Sequence, residues 1–132
     1  MSGQTSILVV DDQPDVANTL ADILTLKGFK VYLSFSGAAA LKILEDQPVD
    51  ILLTDVKMPD MNGVMLYREV RKKFPRVTTY FMTAYAADDL IQQGMKEGIK
   101  TVLTKPLDID LIVALFTAHN SISSRVTDGE AR

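Results

Sequence analysis

Five polar residues stand at the ends of short apolar runs, and together they could carry out chemistry on a phosphoryl group. They are Asp11, Asp12, Asp55, Thr83 and Lys105. Clustered carboxylates repel one another and burial destabilises each charge, so a cation has to offset them. Mg²⁺ binds through carboxylate and phosphate oxygens, and a carboxylate can itself attack phosphorus. An ammonium and a hydroxyl are suited to the oxygens of a phosphoryl group during transfer.

The apolar runs alternate with amphipathic stretches along the chain. Short runs bounded by turn residues predict buried strands, here over residues 7–10, 31–35, 50–55, 77–82 and 101–104. The predicted helices begin near residue 14, span 38–44, end before 75, span 87–95 and follow 108. Gly28 is expected to end the first helix in a left-handed cap. Gly94 is expected to weaken the fourth.

This alternation predicts an α/β fold whose strands are parallel. Parallel strands need right-handed crossovers, which place helices on both faces of the sheet. Residues 31–35 alternate between apolar and polar, which is typical of an edge strand with one solvated face. Ligands of open α/β sheets bind outside the carboxyl ends of the strands. We therefore expect the five polar residues to meet at one edge.

Composition excludes several classes of protein. The 132 residues suit one domain, and the sequence contains no cysteine, which excludes disulfides, cysteine-bound metals and thiol catalysis. A balance of 14 basic and 17 acidic residues argues against direct nucleic-acid binding. No apolar run approaches the roughly 20 residues of a membrane helix, and the first residues lack a secretion signal. We expect a cytoplasmic protein with no membrane contact.

Four motifs carry a resemblance to a known family. They are VVDDQPD at 9–15, LLTDVKMPDMNG at 52–63, MTA at 82–84 and TKP at 104–106. In order and at strand ends, they resemble the receiver domain of response regulators in two-component signalling, over residues 6–118. The resemblance implies a flavodoxin-like, doubly wound (βα)₅ fold with strand order 2-1-3-4-5. Residues 1–5 are then expected to be a disordered N-terminus and 119–132 a polar tail that frays from about residue 120.

The same resemblance implies the chemistry of the site. Asp55 would accept a phosphoryl group from a phosphohistidine on a sensor histidine kinase or phosphotransfer protein. Asp12 and Asp55 would bind Mg²⁺, with Asp11 acting through a water molecule and Lys57 through its backbone carbonyl. Besides this phosphotransfer and its own dephosphorylation, no enzymatic activity is expected.

The resemblance also implies a conformational switch. Lys105 and Thr83 would contact the phosphoryl oxygens, with Thr83 moving toward them. The change would reach a downstream protein or an attached output domain through the face formed by the fourth helix, fifth strand and fifth helix. Whether the active form becomes a homodimer through this face is left open. The peptide bond between Lys105 and Pro106 is implied to be cis.

The sequence departs from the family pattern at one position of the switch. Three residues before the lysine the family often has Tyr or Phe, and this sequence has Val102. Tyr85, two residues after Thr83, is a candidate replacement. Tyr85 and Lys57 would also flank the approach of the attacking water, so we expect this pair to change the lifetime of the phosphoryl group.

Three other functions share parts of this pattern. A haloacid-dehalogenase-type phosphohydrolase needs an aspartate two residues after its nucleophile, where this chain has Lys57. An FMN carrier needs a Ser/Thr-rich phosphate loop after the first strand, where Asp11 and Asp12 would repel phosphate. A receiver-like interaction module that takes no phosphate would not need the full set of five polar residues.

Each candidate residue also has an ordinary structural interpretation. Asp11 and Asp12 are typical of an acidic helix start, and Thr83 and Lys105 are common at strand ends and in loops. His119, the one histidine, falls where a cation suits a helix end. The basic residues between 68 and 76 are expected to form a solvated helix end. Only the combination of the five polar residues favours phosphoryl chemistry.

Overall fold

Five strands alternate with five helices within residues 4–85, 88–99 and 101–130, which the computed structural model describes, with side chains as far as 119. The strands are β1 (Ser6–Val10), β2 (Lys30–Ser34), β3 (Ile51–Asp55), β4 (Thr78–Thr83) and β5 (Val102–Thr104). The helices are α1 (Pro14–Leu26), α2 (Gly37–Asp46), α3 (Gly63–Lys73), α4 (Asp89–Lys96) and α5 (Ile109–Glu130). Among these residues, no helix is both long and apolar enough to cross a bilayer.

The strands form one parallel sheet in the order β2-β1-β3-β4-β5, which confirms the predicted fold class and the edge position of β2. One face of the sheet packs on α1 and α5, where Leu24 and Phe116 are fully buried. The other face packs on α2, α3 and α4 through residues such as Leu66 and Ile91. Burial on both faces explains the continuous apolar runs of β1 and β3, residues 7–10 and 51–53.

The helix ends follow the local chemistry of the sequence. Pro14 is the first residue of α1, where its missing N–H leaves no intrahelical bond unmade. Gly28 follows α1 with φ +100°, which confirms the predicted left-handed cap. Side chains of Ser36, Asn62 and Asp88 accept backbone N–H bonds at the starts of α2, α3 and α4.

Gly94 serves close packing in α4. A Cβ atom at this position would overlap the ring of Phe81 on β4. The loss of helix propensity that the sequence predicts therefore accompanies a close approach of α4 to the sheet. Ile91, one turn earlier, is buried against the same cluster.

Both chain ends correct the predicted boundaries. Thr5 was expected to be disordered, but it is buried and its carbonyl accepts the N–H of Lys30 at 3.0 Å; residues 1–3 lie outside the described part. The tail predicted from about residue 120 is helical in its backbone, because α5 continues to Glu130. A helix that is already nucleated gains one hydrogen bond per added residue, and residues 120–128 contain no Pro or Gly to stop it. The predicted start of α4 at 87 lies outside the described residues.

Candidate functional site

The strand ends bring the predicted site residues together at one edge of the sheet. Asp55 and Thr83 are the last residues of β3 and β4, and Asp11 and Lys105 directly follow β1 and β5. Asp12, Asp55, Thr83 and Lys105 line one cavity of about 310 Å³. Because all strands are parallel, their carboxyl ends point the same way, and residues far apart in sequence become neighbours.

Three carboxylates cluster at this site. One oxygen each of Asp11, Asp12 and Asp55 lies within 4.8 Å of the others. Asp11 is fully buried, whereas Asp12 and Asp55 are partly exposed. Burial raises the pKa of Asp55, with a smaller contribution from the charge of Asp11, while Lys105 opposes the rise.

Lys105 supplies the positive charge of the site. Its Nζ donates to Oδ2 of Asp11 at 3.0 Å and to Oδ2 of Asp55 at 3.1 Å. Burial alone would lower the pKa of Lys105, but the hydrogen bonds to these two carboxylates raise it overall. The backbone N–H of Lys105 donates to the Thr83 carbonyl at 2.7 Å, which fixes the start of this side chain. The Lys105–Pro106 bond is cis, as the resemblance implied.

Backbone groups orient the carboxylates. Oδ1 of Asp55 accepts the N–H of Val56 at 2.8 Å, while its other oxygen faces Lys105. Oδ1 of Asp11 accepts the N–H of Gln13 at 3.0 Å. Gln13 is itself the cap of α1 and makes no side-chain cap bond. The hydrogen bonds of Asp11 thus lie with Gln13 and Lys105, not with the first turn of α1, so a helix cap does not account for them.

Thr83 faces the same cavity. Its hydroxyl accepts the backbone N–H of Tyr85 at 3.0 Å, which tightens the turn after β4. The Tyr85 side chain is 68% exposed. Thr83 is therefore placed beside the carboxylates, with its hydroxyl held by the following loop.

The Lys57 side chain reaches away from the carboxylates. Its Nζ lies 2.7 Å from Oδ2 of Asp88, the cap of α4, and 5.7 Å from the centre of the Tyr85 ring. The hydrogen bond from Lys57 lowers the pKa of Asp88. Sequence reasoning missed Asp88, because it treated this residue as part of the helix. An aspartate before an apolar helical stretch is a typical N-cap, and that signal could have found it.

The donor set of the site fits a hard divalent cation. Carboxylate oxygens are the ligands that Mg²⁺ prefers, usually one or two of them completed by water and phosphate oxygens. Asp11, Asp12 and Asp55 offer such oxygens at mutual distances that one ion can bridge. Lys105 neutralises only part of the negative charge of these carboxylates, and the remaining charge favours the binding of a cation.

Residues 7–117 match the family described as the response regulator receiver domain. The chain belongs to this family. It is 38% identical over 108 residues to a response regulator receiver protein of Anaeromyxobacter sp., covering 82% of this chain and 45% of that protein. It is 35% identical over 136 residues to the transcriptional regulatory protein ZraR of Klebsiella oxytoca, covering 99% of this chain and 31% of that protein. The chain thus spans less than half the length of these relatives.

A solved structure shares the fold. The response regulator TrrA of Thermotoga maritima, in complex with Mg²⁺ and BeF, superposes with a TM-score of 0.75 at 25% identity. The match covers 88% of this chain and 99% of that one. Together with the sheet order, the comparison supports a receiver domain of two-component signalling.

In this receiver domain, the position of the common family aromatic is part of the core. Val102 is partly buried and packs with Phe81, Ile91 and Ile99 beneath α4. The candidate replacement, Tyr85, is exposed at the cavity mouth beside Lys57. The two residues therefore occupy different environments, and Tyr85 does not fill the volume beside Val102.

Two further parts of the receiver domain lie away from the carboxylates. His119 is half-buried, and burial lowers its pKa while the charge of Asp50, just before β3, opposes this. It therefore lies toward the amino ends of the strands. The basic helix end is exposed, as predicted, and Arg68 and Arg71 in addition contact Glu97 after α4. Neither group belongs to the site.

Proposed function

We propose that this receiver domain accepts a phosphoryl group on Asp55 from a phosphohistidine of a sensor histidine kinase or phosphotransfer protein. The observation that carries the proposal is the setting of the Asp55 carboxylate. It ends a buried strand, faces a cavity, contacts an ammonium at 3.1 Å and lies beside two further carboxylates. A structural aspartate in a loop needs none of this.

The transfer is a displacement at phosphorus. A carboxylate oxygen of Asp55 forms a bond to phosphorus as the bond from phosphorus to the imidazole nitrogen breaks. The nitrogen keeps the electron pair and the ring takes up a proton in returning to its ordinary protonation state. Lys105 is placed to neutralise one phosphoryl oxygen, and the Thr83 hydroxyl to donate to another once it leaves Tyr85. These groups position the phosphoryl group and neutralise its charge, which is most of what such a transfer requires.

Mg²⁺ would be held by the carboxylates of Asp12 and Asp55 and by the backbone carbonyl of Lys57. Asp11 would act through a water molecule. When bound, the ion offsets carboxylate charge and neutralises oxygens of the transferring group. The TrrA structure, solved with Mg²⁺ and BeF, supports this assignment by similarity. The chain's own part is to gather carboxylate oxygens within bridging distance.

The activity we propose is signalling rather than turnover of an external substrate. Phosphorylation of Asp55 would shift the conformation of the face formed by α4, β5 and α5, which a partner or an attached output domain reads. Relatives such as ZraR are transcriptional regulatory proteins, and nucleic-acid contact would then belong to another domain. A homodimer on this face is one form the output could take. The expected location is the cytoplasm, where sensor kinases phosphorylate their partners.

Incubation with Mg²⁺ and acetyl phosphate, followed by intact mass spectrometry, tests the proposal. We expect a phosphoryl adduct on the wild type and none on Asp55→Asn. Asp15→Asn, which removes an exposed aspartate of α1, is the matched control and should keep the adduct. Absence of the adduct from the wild type, or its persistence in Asp55→Asn, would refute the proposal. Steady release of phosphate from a phosphomonoester would favour the phosphohydrolase instead.

A further inference from the structure

The two ends of α4 are restrained very differently. At the carboxyl end, Glu97 accepts Nε of Arg68 at 2.8 Å, and its carbonyl accepts Nη1 of Arg71 at 2.6 Å and the Tyr67 hydroxyl at 3.2 Å. Gly94 lies directly against the Phe81 ring. Several independent contacts therefore fix this end to α3 and β4.

The amino end of α4 has a single charged tether among the described side chains. Asp88 caps the helix through the N–H of Leu90 at 2.8 Å and pairs with Lys57 at 2.7 Å. The side chain of Lys57 is 61% exposed, and it comes from the loop that follows Asp55. The Asp88 side chain is 14% exposed, so the pair is open to solvent on the Lys57 side. Ion pairs at the surface are weak, so Lys57 can exchange this partner for a better one.

Phosphorylation would create such a partner at the same cavity. Asp55, Lys57 and Tyr85 all line it, and Lys57 is two residues from Asp55. An ionised carboxylate carries one negative charge, whereas a phosphoryl group carries about two near neutral pH. The cavity therefore becomes more negative, while the charge of Asp88 stays the same. The cavity therefore attracts the Lys57 ammonium more strongly than before, whereas the attraction to Asp88 is unchanged.

We propose that Lys57 is a positioning residue that exchanges partners: it tethers the start of α4 through Asp88 in the resting protein and moves to the phosphoryl group on Asp55. The exchange frees the start of α4, and the helix pivots about its fixed end at Gly94 and Glu97. This inference rests on the proposed phosphorylation of Asp55. It gives the chain a route from the phosphoryl group to α4 that does not require an aromatic residue at Val102.

Asp88→Asn separates the tether from the cap. An asparagine caps a helix about as well as an aspartate does, so the variant keeps the bond to Leu90 and loses the ion pair. Lys57→Met removes the same pair from the other side and keeps an unbranched side chain that is one atom shorter. Lys73→Met, which breaks an exposed pair with Glu69 within α3, is the matched control.

The experiment is amide hydrogen exchange at Leu90, Ile91 and Gln92, measured in Mg²⁺ before and after addition of beryllofluoride, so that the charge of the metal is the same in both states. In the wild type we expect beryllofluoride to speed exchange roughly two- to fivefold, the effect of losing one exposed ion pair. In Asp88→Asn and Lys57→Met exchange should already be fast, and beryllofluoride should add little. Lys57→Arg should restore the wild-type response, and Lys73→Met should retain it.

Two outcomes would overturn the partner exchange while leaving the proposed function intact. One is a wild type that is phosphorylated on Asp55 by mass but whose α4 amides do not respond to beryllofluoride. The other is an Asp88→Asn variant that responds as the wild type does. Failure of the phosphoryl adduct itself would instead refute the proposed function, so the two failures are distinguishable.

Discussion

The ammonium nitrogen of Lys105 lies 3.1 Å from Oδ2 of Asp55, joining two strand ends that are 50 residues apart in sequence. β4 lies between β3 and β5 in the sheet, so the lysine side chain reaches across one strand. The same nitrogen lies 3.0 Å from Asp11. One cation therefore links three of the five strand ends.

Loss of this cation should destabilise the fold when no divalent ion is present. In Lys105→Met, the fully buried Asp11 loses its ammonium partner, and an unsatisfied buried group costs about 1–3 kcal/mol. We expect the free energy of unfolding in urea, with chelator, to fall by this amount. Lys73→Met, at an exposed pair, should change it little. Equal stabilities of Lys105→Met and the wild type would show that Lys105 does not offset the carboxylates.

Mg²⁺ should stabilise the wild type through the carboxylate cluster. A ligand that binds only the folded state adds about 2.7 kcal/mol at a concentration one hundred times its Kd. We expect the midpoint of thermal unfolding to rise with Mg²⁺ concentration, and to rise much less in Asp12→Asn. Asp15→Asn removes an aspartate outside the cluster and should behave as the wild type does. A response that Asp12→Asn leaves unchanged would place the ion elsewhere.

Gly94→Ala should be destabilising although alanine favours helices. The added methyl would overlap the Phe81 ring, so we expect a cost in the upper part of the about 1–3 kcal/mol typical of core overpacking. That cost is larger than the roughly 1 kcal/mol gain in helix propensity. Urea unfolding measures the difference. Combining Gly94→Ala with Phe81→Leu should recover part of the loss, since the two residues are in contact. A variant as stable as the wild type would mean that α4 shifts without loss.

The clamp between Arg68 and Glu97 should stabilise the protein in a pH-dependent way. The hydrogen bond from Arg68 holds the pKa of Glu97 below its ordinary value of 4.5. The folded state therefore binds this proton less readily than the unfolded state does. The stabilisation is fully present above 4.5 and is lost as pH falls through the depressed pKa.

We accordingly expect Glu97→Gln to be less stable than the wild type near neutral pH, and the difference to shrink in acid. Urea unfolding at a series of pH values measures it. Glu69→Gln, at an exposed pair within α3, should show a smaller dependence. A gap between Glu97→Gln and the wild type that stays constant with pH would argue against the clamp.

Tyr85 should prolong the life of the phosphoryl group on Asp55. Its ring lies 5.7 Å from Nζ of Lys57 at the cavity mouth, and we expect it to hinder the approach of water there. We expect Tyr85→Ala to lose the adduct several-fold faster, followed by intact mass over time. Tyr32→Ala removes a matched tyrosine that lies beside Lys30, away from the site, and should not alter the rate. Equal rates for Tyr85→Ala and the wild type would exclude such shielding.

The order of elements and the edge that carries the site were predictable because both depend on local patterns. Short apolar runs between amphipathic stretches specify strands and helices, and parallel strands must end at one edge. Asp11, Asp55, Thr83 and Lys105 were placed there by strand assignment alone. The cap at Gly28 also follows from local chemistry, since glycine readily adopts positive φ.

The contacts around α4 were not predictable in this way. Whether Gly94 weakens a helix or admits the Phe81 ring depends on how closely the helix packs on the sheet. The basic residues after Leu66 are exposed, as predicted, but the sequence did not indicate that Arg68 pairs with Glu97, 29 residues further along the chain. The length of α5 was also missed, because polar residues do not stop a helix that is already formed.

The sequence by itself determined the chemistry of this protein: which side chains stand at the strand ends, and hence a site built from carboxylates, a hydroxyl and an ammonium. Tertiary structure alone decided the partners of those side chains: Lys105 with Asp11 and Asp55, and Lys57 with Asp88 rather than with the carboxylates. The physical reason is range. Strand and helix patterns arise from neighbours a few residues apart, whereas a charge chooses its partner by distances that only the packed sheet and helices define.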